Sequence, residues 1–551
     1  MEIERLEADR LLTEFGWRHG IYQLTVALLL CSVWVFLAFQ EMSWAFIGLY
    51  HPFTCVTLVH RKTAFNLTYD SQCYAADNVT KCTDGANSTF LFDPSFGHTM
   101  TSEYQLVCDD YIWAQLGTTA YTAGGVLGDL PTAQMSDLLG RKPVFLTCYW
   151  ISVVLALLRS QLHSYTAQMA LYVLLGAFSA GAISTGYVLA CEMLTPSMRS
   201  AALTMMENLT WVFGYMLQGL VVIWLPNWRQ MILWSNVPFI ATISFAWLVP
   251  ESLHWMLATG KYERAAQWVH RTTTLNCATG EIDMRKCLRS DRQQRAHQQK
   301  HKHHPKRTIL DVLKSPVLLH HGLITCYNAQ VGMIVYWALS LFSTQMADDR
   351  FTGYFLSGLV EIPAGIMGPL LLLVIGRRTL TIIAQLSTAL AFICRYFCPE
   401  DAPTWLTLSI YLFAKYGNML FWPGNFLLQA EVFPTTVRNV GCSTMRTLSA
   451  FGSMTAPFLG DLLTKNPPLG SAIFTVICLI AGISLLALPE TKDCELPEDI
   501  PDTPLGPLLS RIMNKPTQHS STKSASTKSE ADSEHGLELE DLLAMKQPTH
   551  S

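Results

Sequence analysis

The stretch Met135-Ser-Asp-Leu-Leu-Gly-Arg-Lys142 lies between two long apolar segments, and its end returns as Gly376-Arg377-Arg378, 236 residues after Gly140-Arg141-Lys142. Two further landmarks return in the same order, each 239 residues later: Glu192 with Arg199 as Glu431 with Arg438, and Pro250-Glu251-Ser252 as Pro489-Glu490-Thr491. Three ordered matches at nearly one distance are hard to obtain by chance. They indicate an internal repeat of two parallel halves.

Apolar segments fill most of the chain between these landmarks. Only 15% of the 551 residues are charged, whereas soluble domains usually carry about 25%. A membrane helix needs roughly 20 mostly apolar residues, and long stretches without Asp, Glu, Lys or Arg recur along the chain. We predict an all-α polytopic membrane protein with twelve spans: 21–41, 112–134, 143–160, 167–190, 203–224, 231–250, 318–340, 351–375, 379–397, 403–428, 441–463 and 470–488.

This composition excludes several classes of protein: a soluble enzyme, a disordered scaffold and an outer-membrane barrel. The net charge of −4 gives no reason to expect a nucleic-acid partner. An acidic segment precedes the first span, and no clear cleavage site follows it, so we expect that span to be retained rather than removed as a signal peptide.

The repeated landmarks follow spans 2, 4 and 6 and then spans 8, 10 and 12, which predicts two pseudo-symmetric six-helix bundles. The expected organisation is an N-terminal segment, a first half that includes an outer loop at 43–111, a basic connector, a second half and a disordered tail. Their bounds are 1–20, 21–255, 256–314, 315–490 and 491–551.

Basic residues predict the orientation in the membrane. Residues 261–314 hold thirteen Lys or Arg, and cytoplasmic loops are enriched in these residues. Shorter basic loops fall on the same side of the membrane; they contain Arg141, Lys142, Arg199, Arg377, Arg378 and Arg438. We therefore expect this side and both termini to be cytoplasmic.

The loop 43–111 is then extracellular. It holds three N-glycosylation sequons, at Asn66, Asn78 and Asn87. It also holds four cysteines that predict two disulfides with three possible pairings: Cys55, Cys73, Cys82 and Cys108. The other eleven cysteines show no spacing typical of a metal site, so we interpret them as buried thiols.

Several motifs carry a family resemblance. The stretch Met135–Lys142 resembles the loop signature of the major facilitator superfamily. Pro250-Glu-Ser-Leu-His-Trp255, Glu431-Val-Phe-Pro-Thr-Thr-Val-Arg-Asn439 and Leu488-Pro-Glu-Thr491 are similar to the organic cation, anion and zwitterion transporter branch. The resemblance covers residues 1–492. It implies a plasma-membrane transporter for small organic ions that works by alternating access, needs no cofactor and is not an enzyme.

The chain departs from that branch at four positions. The loop signature has Ala133 where Gly is usual, and its second copy has Leu373 where an acid is common. Anion-type members carry a Lys where this chain has Gly365. The span-11 position that is Arg in anion-type members and Asp in cation-type members is Ala450.

Charges within spans are costly and are functional candidates by default. The resemblance places Glu361 on span 8, Lys415 on span 10 and the pair Tyr336 and Trp337 on span 7 near a central cavity. Trp211 on span 5 is a further candidate for substrate binding. Two alternatives are a structural hydrogen bond of Glu361 near Pro363 and plain packing of the aromatic rings. Lys415 could meet an anionic substrate group or neutralise Glu361.

Other charges are candidates for gating. The resemblance suggests a latch in which Asp137 faces a helix N-terminus of the other half, while Arg141 pairs with a carboxylate and Lys142 lies beside them. The pairs Glu192 with Arg199 and Glu431 with Arg438 would act as braces. The alternative is that all of these are solvated loop charges.

A cross-half ion pair is predicted between Asp129 and Arg446. Each lies roughly 12 Å inside its cytoplasmic boundary at 1.5 Å per residue, and the resemblance implies that spans 2 and 11 face each other. Two alternatives remain: Arg446 faces Glu207, or Asp129 binds substrate.

We favour a small organic cation or zwitterion as substrate, because Glu361 lies near Tyr336 and Trp337 and the anion-type Lys and Arg are missing. The alternatives are an organic anion transporter and a non-transporting member that acts as a receptor or trafficking protein. The tail contains Glu538-Leu-Glu-Asp-Leu542-Leu543, a pattern typical of signals that bind sorting adaptors.

Overall fold

Helices build nearly all of the described chain. The computed structural model describes residues 21–48, 50–57, 73, 88–194, 201–275, 315–399, 401–434 and 438–492. Spans 1 to 6 are formed by Ile21–Cys31 with Val33–Met42 and Trp44–Ile47, Tyr111–Leu139, Arg141–Arg159, Tyr165–Met193, Ala201–Trp224, and Trp228–Asn236 with Val237–Ser244 and Phe245–Leu248. Spans 7 to 12 are formed by Pro316–Phe342, Arg350–Leu359 with Glu361–Val374, Arg377–Tyr396, Thr404–Val432, Arg438–Lys465, and Pro467–Ser484 with Leu485–Ala487.

Seven spans in the described residues are long and apolar enough to cross a membrane by composition alone: spans 1, 3, 4, 6, 8, 9 and 12. The other five carry more polar side chains. Spans 2, 10 and 11 hold Asp129, Lys415 and Arg446, and each also contains an internal proline. Neighbouring helices can satisfy the polar groups of such a span, so a weak apolar signal is compatible with crossing the membrane.

The internal repeat reappears as a repeated helix cap. Span 3 begins after Gly140, and the Glu251 carboxylate accepts hydrogen bonds from the backbone N–H groups of Arg141 and Lys142, both at 3.1 Å. In the second half, Glu490 accepts from the backbone N–H groups of Arg378 and Thr379 at 3.2 Å. A carboxylate at a helix N-terminus satisfies free backbone donors and complements the helix dipole.

Two pairs of spans form the most extensive contacts between the halves. Span 2 packs against span 11, as the resemblance implied, and span 5 packs against both segments of span 8. Glycines permit the second contact: a Cβ at Gly358 would lie 2.7 Å from the ring of Tyr215, and one at Gly365 would lie 1.7 Å from Asn208 Nδ2.

Part of the loop between spans 1 and 2 forms a small antiparallel sheet. Strand β1 (Phe53–Thr57) pairs with strand β2 (Ser88–Phe92). Cys73 is disulfide-bonded to Cys108, with 5.7 Å between their Cα atoms. Cys55 also belongs to a disulfide, whereas Cys82 and the three sequon asparagines lie outside the described residues.

We call the end of the bundle with Arg141, Lys142, Arg377 and Arg378 the basic end, and the end with strands β1 and β2 the loop end. The halves meet tightly at the loop end. The Thr344 hydroxyl donates to the carbonyl of Ala45 at 3.4 Å, and the rings of Phe46 and Tyr354 lie 4.7 Å apart. At the basic end, no hydrogen bond or ion pair between two described residues joins the halves. The described contacts therefore close the loop end.

Candidate substrate-binding site

The five side chains that the sequence nominated for substrate binding lie in one cluster between the halves. Four come from the second half, on spans 7, 8 and 10, and Trp211 comes from span 5 of the first half. Span 10 packs against both span 7 and span 8, so three distant stretches of sequence supply one set of neighbouring side chains.

A buried ion pair lies at the centre of the cluster. Lys415 Nζ is 2.9 Å from Glu361 Oε1, and the two side chains are 1% and 0% exposed. Lys415 also donates to Ser357 Oγ at 2.7 Å, and the Tyr336 hydroxyl donates to Glu361 Oε1 at 3.2 Å. Of the two roles expected for Lys415, this arrangement corresponds to neutralising Glu361. Desolvation makes such a pair costly unless further hydrogen bonds satisfy it, and Ser357 and Tyr336 supply them.

Aromatic rings cover the pair on the side of the first half. The Trp211 indole N–H donates to the Tyr336 hydroxyl at 2.8 Å. Trp337 stands edge-on to both rings, with centroid distances of 6.3 Å to Trp211 and 5.3 Å to Tyr336. Such rings present faces that attract an organic cation.

Sequence reasoning missed Tyr215 and Ser357. The Tyr215 hydroxyl lies 3.4 Å from Ser357 Oγ, and Lys415 Nζ lies 4.9 Å from the centroid of the Tyr215 ring. Helical spacing was the available signal: Tyr215 is four residues after Trp211, and Ser357 is four residues before Glu361. Residues four apart lie on the same face of a helix.

The candidate gating residues of the first half pair within that half. Arg141 lies 2.9 Å from Asp137 and 3.3 Å from Glu192, and Glu192 accepts a hydrogen bond from Ser252. Lys142 donates to the carbonyl of Ala246 at 2.7 Å. The Asp137 side chain is 72% exposed, and its contact with a helix N-terminus of the other half stays a prediction.

The second half repeats the ion pair between Arg141 and Glu192. Arg377 lies 3.4 Å from Glu431, as Arg141 lies beside Glu192. In the described residues, the charged partner of Glu192 is thus the arginine at the start of span 3, and that of Glu431 is the arginine at the start of span 9. Arg199 and the side chain of Arg438 lie outside the described residues, so the braces predicted for them stay predictions.

Asp129 and Arg446 form no ion pair in this conformation. Arg446 is exposed and interacts electrostatically with Glu207 across the two halves. This is the alternative partner that the repeat suggested. The Asp129–Arg446 pair was predicted for a closed inner gate, and it stays a prediction for that conformation.

Comparisons with known proteins agree with this architecture. Residues 55–499 match the family described as sugar (and other) transporter. An organic cation transporter protein of Drosophila melanogaster is 26% identical over 517 residues, which cover 90% of this chain and 94% of that protein. The human organic cation/carnitine transporter 2 is 26% identical over 405 residues, which cover 73% of this chain and 71% of that protein.

Among solved structures, the inward open conformation of the xylose transporter XylE from E. coli has a TM-score of 0.58 at 14% identity. The match covers 86% of this chain and 98% of that chain, and it shows the fold alone. The chain therefore belongs to the sugar (and other) transporter family of the major facilitator superfamily, as a multi-pass membrane transporter whose relatives include organic cation transporters.

Proposed function

We propose that this protein carries small organic cations or zwitterions across the plasma membrane by alternating access, with its basic end and both termini in the cytoplasm. The observation that carries the proposal is the cluster of Glu361, Lys415, Tyr336, Trp337 and Trp211 between the halves. Relatives named as organic cation, carnitine and beta-alanine transporters support this substrate range.

The pairing of positive with negative side chains argues against a simple anion as the substrate. Lys415 is a basic residue that could select a carboxylate, but Glu361 Oε1 lies 2.9 Å from it. Arg446 has Glu207 for electrostatic compensation. Neither cation offers an uncompensated positive charge, whereas the rings of Trp211, Tyr336 and Trp337 favour a cationic group.

Transport would proceed by rocking of the halves. The structure is closed at the loop end, so substrate in the central cluster would exchange with the cytoplasm. The opposite rocking motion would separate Phe46 from Tyr354 at the loop end and bring the two halves together at the basic end. The charged groups around Asp137, Arg141 and Asp129 would then meet partners in the other half and close the inner gate.

Uptake by transfected cells tests the proposal. Labelled tetraethylammonium, L-carnitine and para-aminohippurate represent cations, zwitterions and carboxylates. We expect uptake of the first or the second above that of untransfected cells. Strong uptake of para-aminohippurate alone would make this protein an anion transporter, and surface expression without uptake of any probe would favour a receptor or trafficking role.

The sorting-like segment Glu538–Leu543 lies outside the described residues, and binding of sorting adaptors is a second part of the proposal. Replacing Leu542 and Leu543 by alanine should shift the protein between internal membranes and the surface without changing uptake per surface molecule. Surface biotinylation measures this distribution, and an unchanged surface fraction would contradict the sorting role.

A further inference from the structure

Glu41 is a charged residue within span 1 that the central cluster does not include. It lies on the helix Val33–Met42 and is partly exposed. No hydrogen bond or ion pair joins its carboxylate to any described residue. We infer that Glu41 is a second substrate-contacting carboxylate, and that it selects a monovalent organic ammonium ion as the ligand.

The neighbours of Glu41 along the helix define the direction of its side chain. Three residues later, the Trp44 indole N–H donates to the Ala114 carbonyl of span 2 at 3.0 Å. Three residues earlier, Ala38 packs so closely on span 5 that a Cβ at Gly214 would lie 2.8 Å from its Cβ. Residues three and four apart share a helix face, so Glu41 points into the space bordered by spans 2 and 5.

The same face also meets the second half. Four residues after Glu41, the carbonyl of Ala45 accepts the hydrogen bond from Thr344 of the other half. Ala45 and Phe46 are 3% and 5% exposed, and Tyr354 is fully buried. These residues close the loop end one helical turn beyond Glu41, whose side chain is partly exposed.

Aromatic side chains accompany this carboxylate. Tyr121 and Tyr172 both interact electrostatically with Glu41, and their ring centroids lie 5.0 Å apart. Arg159 packs on the Tyr172 ring, 3.9 Å from its centroid, but it is fully buried and forms no ion pair with Glu41. A carboxylate with aromatic side chains nearby favours an alkylammonium group as its ligand.

The balance of charge gives Glu41 its selectivity. Lys415 and Glu361 cancel each other, and Arg446 and Glu207 compensate each other across the halves. An ionised Glu41 has no cationic partner among the described residues, in a place where an unpaired charge is costly. A ligand with one positive charge removes that cost, whereas a carboxylate ligand adds to it. This inference rests on the proposed function for its place in transport, but binding tests it without transport.

Ligand-induced thermal stabilisation of the purified full-length protein is the test. Tetraethylammonium, L-carnitine and para-aminohippurate are titrated against the wild type, Glu41→Gln and Glu41→Asp. The control variant is Asp461→Asn, which also removes one acid from a span but at a site paired with Lys465 at 2.7 Å. We expect tetraethylammonium to stabilise the wild type, Glu41→Asp and Asp461→Asn, and to bind Glu41→Gln about tenfold more weakly, as expected for loss of one charge–charge contact.

Two results would overturn the inference: equal stabilisation of the wild type and Glu41→Gln by tetraethylammonium, or no stabilisation of the wild type by this cation. Uptake separates this outcome from failure of the proposed function. If the protein binds tetraethylammonium through Glu41 but takes up no probe, the Glu41 site is supported and the transport proposal is contradicted. If Glu41→Gln does not change uptake, the transport proposal is supported and the role of Glu41 in substrate binding is contradicted.

Discussion

At the scale of single residues, the central feature is a charge pair that water does not reach. Glu361 and Lys415 are 0% and 1% exposed, and each has one further polar partner, Tyr336 and Ser357. Removing one member of a buried pair leaves an uncompensated charge, whereas replacing both members by neutral groups is often tolerated. Stability and transport should therefore respond differently to single and double changes.

Glu361→Gln alone and Lys415→Met alone should each lower the free energy of unfolding by about 3–5 kcal/mol. The double variant should regain most of that loss but should not recover substrate binding. Thermal unfolding of the purified proteins and uptake per surface molecule measure the two effects. A double variant as unstable as the worse single variant would show that the pair is not an independent unit.

At the scale of elements, the contact of spans 5 and 8 depends on a missing side chain. Gly365 stands where anion-type members of the resembled branch carry a lysine, and Asn208 occupies the space that a Cβ would need. Glycine at position 365 therefore removes a positive charge, and it also allows the close packing of spans 5 and 8 in this conformation. A side chain here would push the two spans apart.

Gly365→Ala should reduce uptake, and the added change Asn208→Ala should restore part of it by making room. Gly125→Ala is the matched control, because its new Cβ would meet no atom closer than 3.6 Å. Uptake normalised to surface protein is the measurement. If Gly365→Ala behaves like Gly125→Ala, the two spans do not require this close approach during transport.

The outer loop is the second element with a testable role. Its cysteines include the bonded pair Cys73 and Cys108, and its sequons predict glycans. Replacing Asn66, Asn78 and Asn87 together by Gln should abolish the mobility shift that a glycosidase produces on a gel. A triple variant that migrates like the untreated wild type would show that these asparagines carry no glycans, and the extracellular assignment of the loop would be wrong.

At the scale of the whole molecule, contacts between described residues join the two halves at the loop end. The buried contacts of Ala45 and Phe46 with the second half must break during transport, and new contacts must form at the basic end. Asp129 on span 2 and Arg446 on span 11 lie on spans that pack together, and they are unpaired with each other here. They are therefore available for the opposite conformation.

Asp129→Asn and Arg446→Gln should each reduce uptake, and the exchange Asp129→Arg with Arg446→Asp should restore part of it. A pair that forms only in one conformation contributes to switching more than to stability. Uptake and surface amount are measured together. An exchange variant that reaches the surface but is no better than the worse single variant would contradict the pair.

The amino-acid sequence by itself determined the spans, the repeat and the candidate residues, because hydropathy and spacing are properties of consecutive residues. It even contained a further repeat: Arg159 and Arg395 are 236 residues apart, and the tyrosines they contact, Tyr172 and Tyr411, are 239 apart. We missed these arginines, and Glu41, because they lie near the ends of predicted spans.

Only the tertiary structure decided the partners. It joined Lys415 to Glu361, placed Arg141 beside Glu192 of its own half, and gave the Glu41 carboxylate no partner among the described residues. A charge acquires its partner over a few ångströms in a medium of low dielectric constant. Which charge lies that close depends on how distant helices pack and on which end of the bundle is open, and neither is a property of consecutive residues.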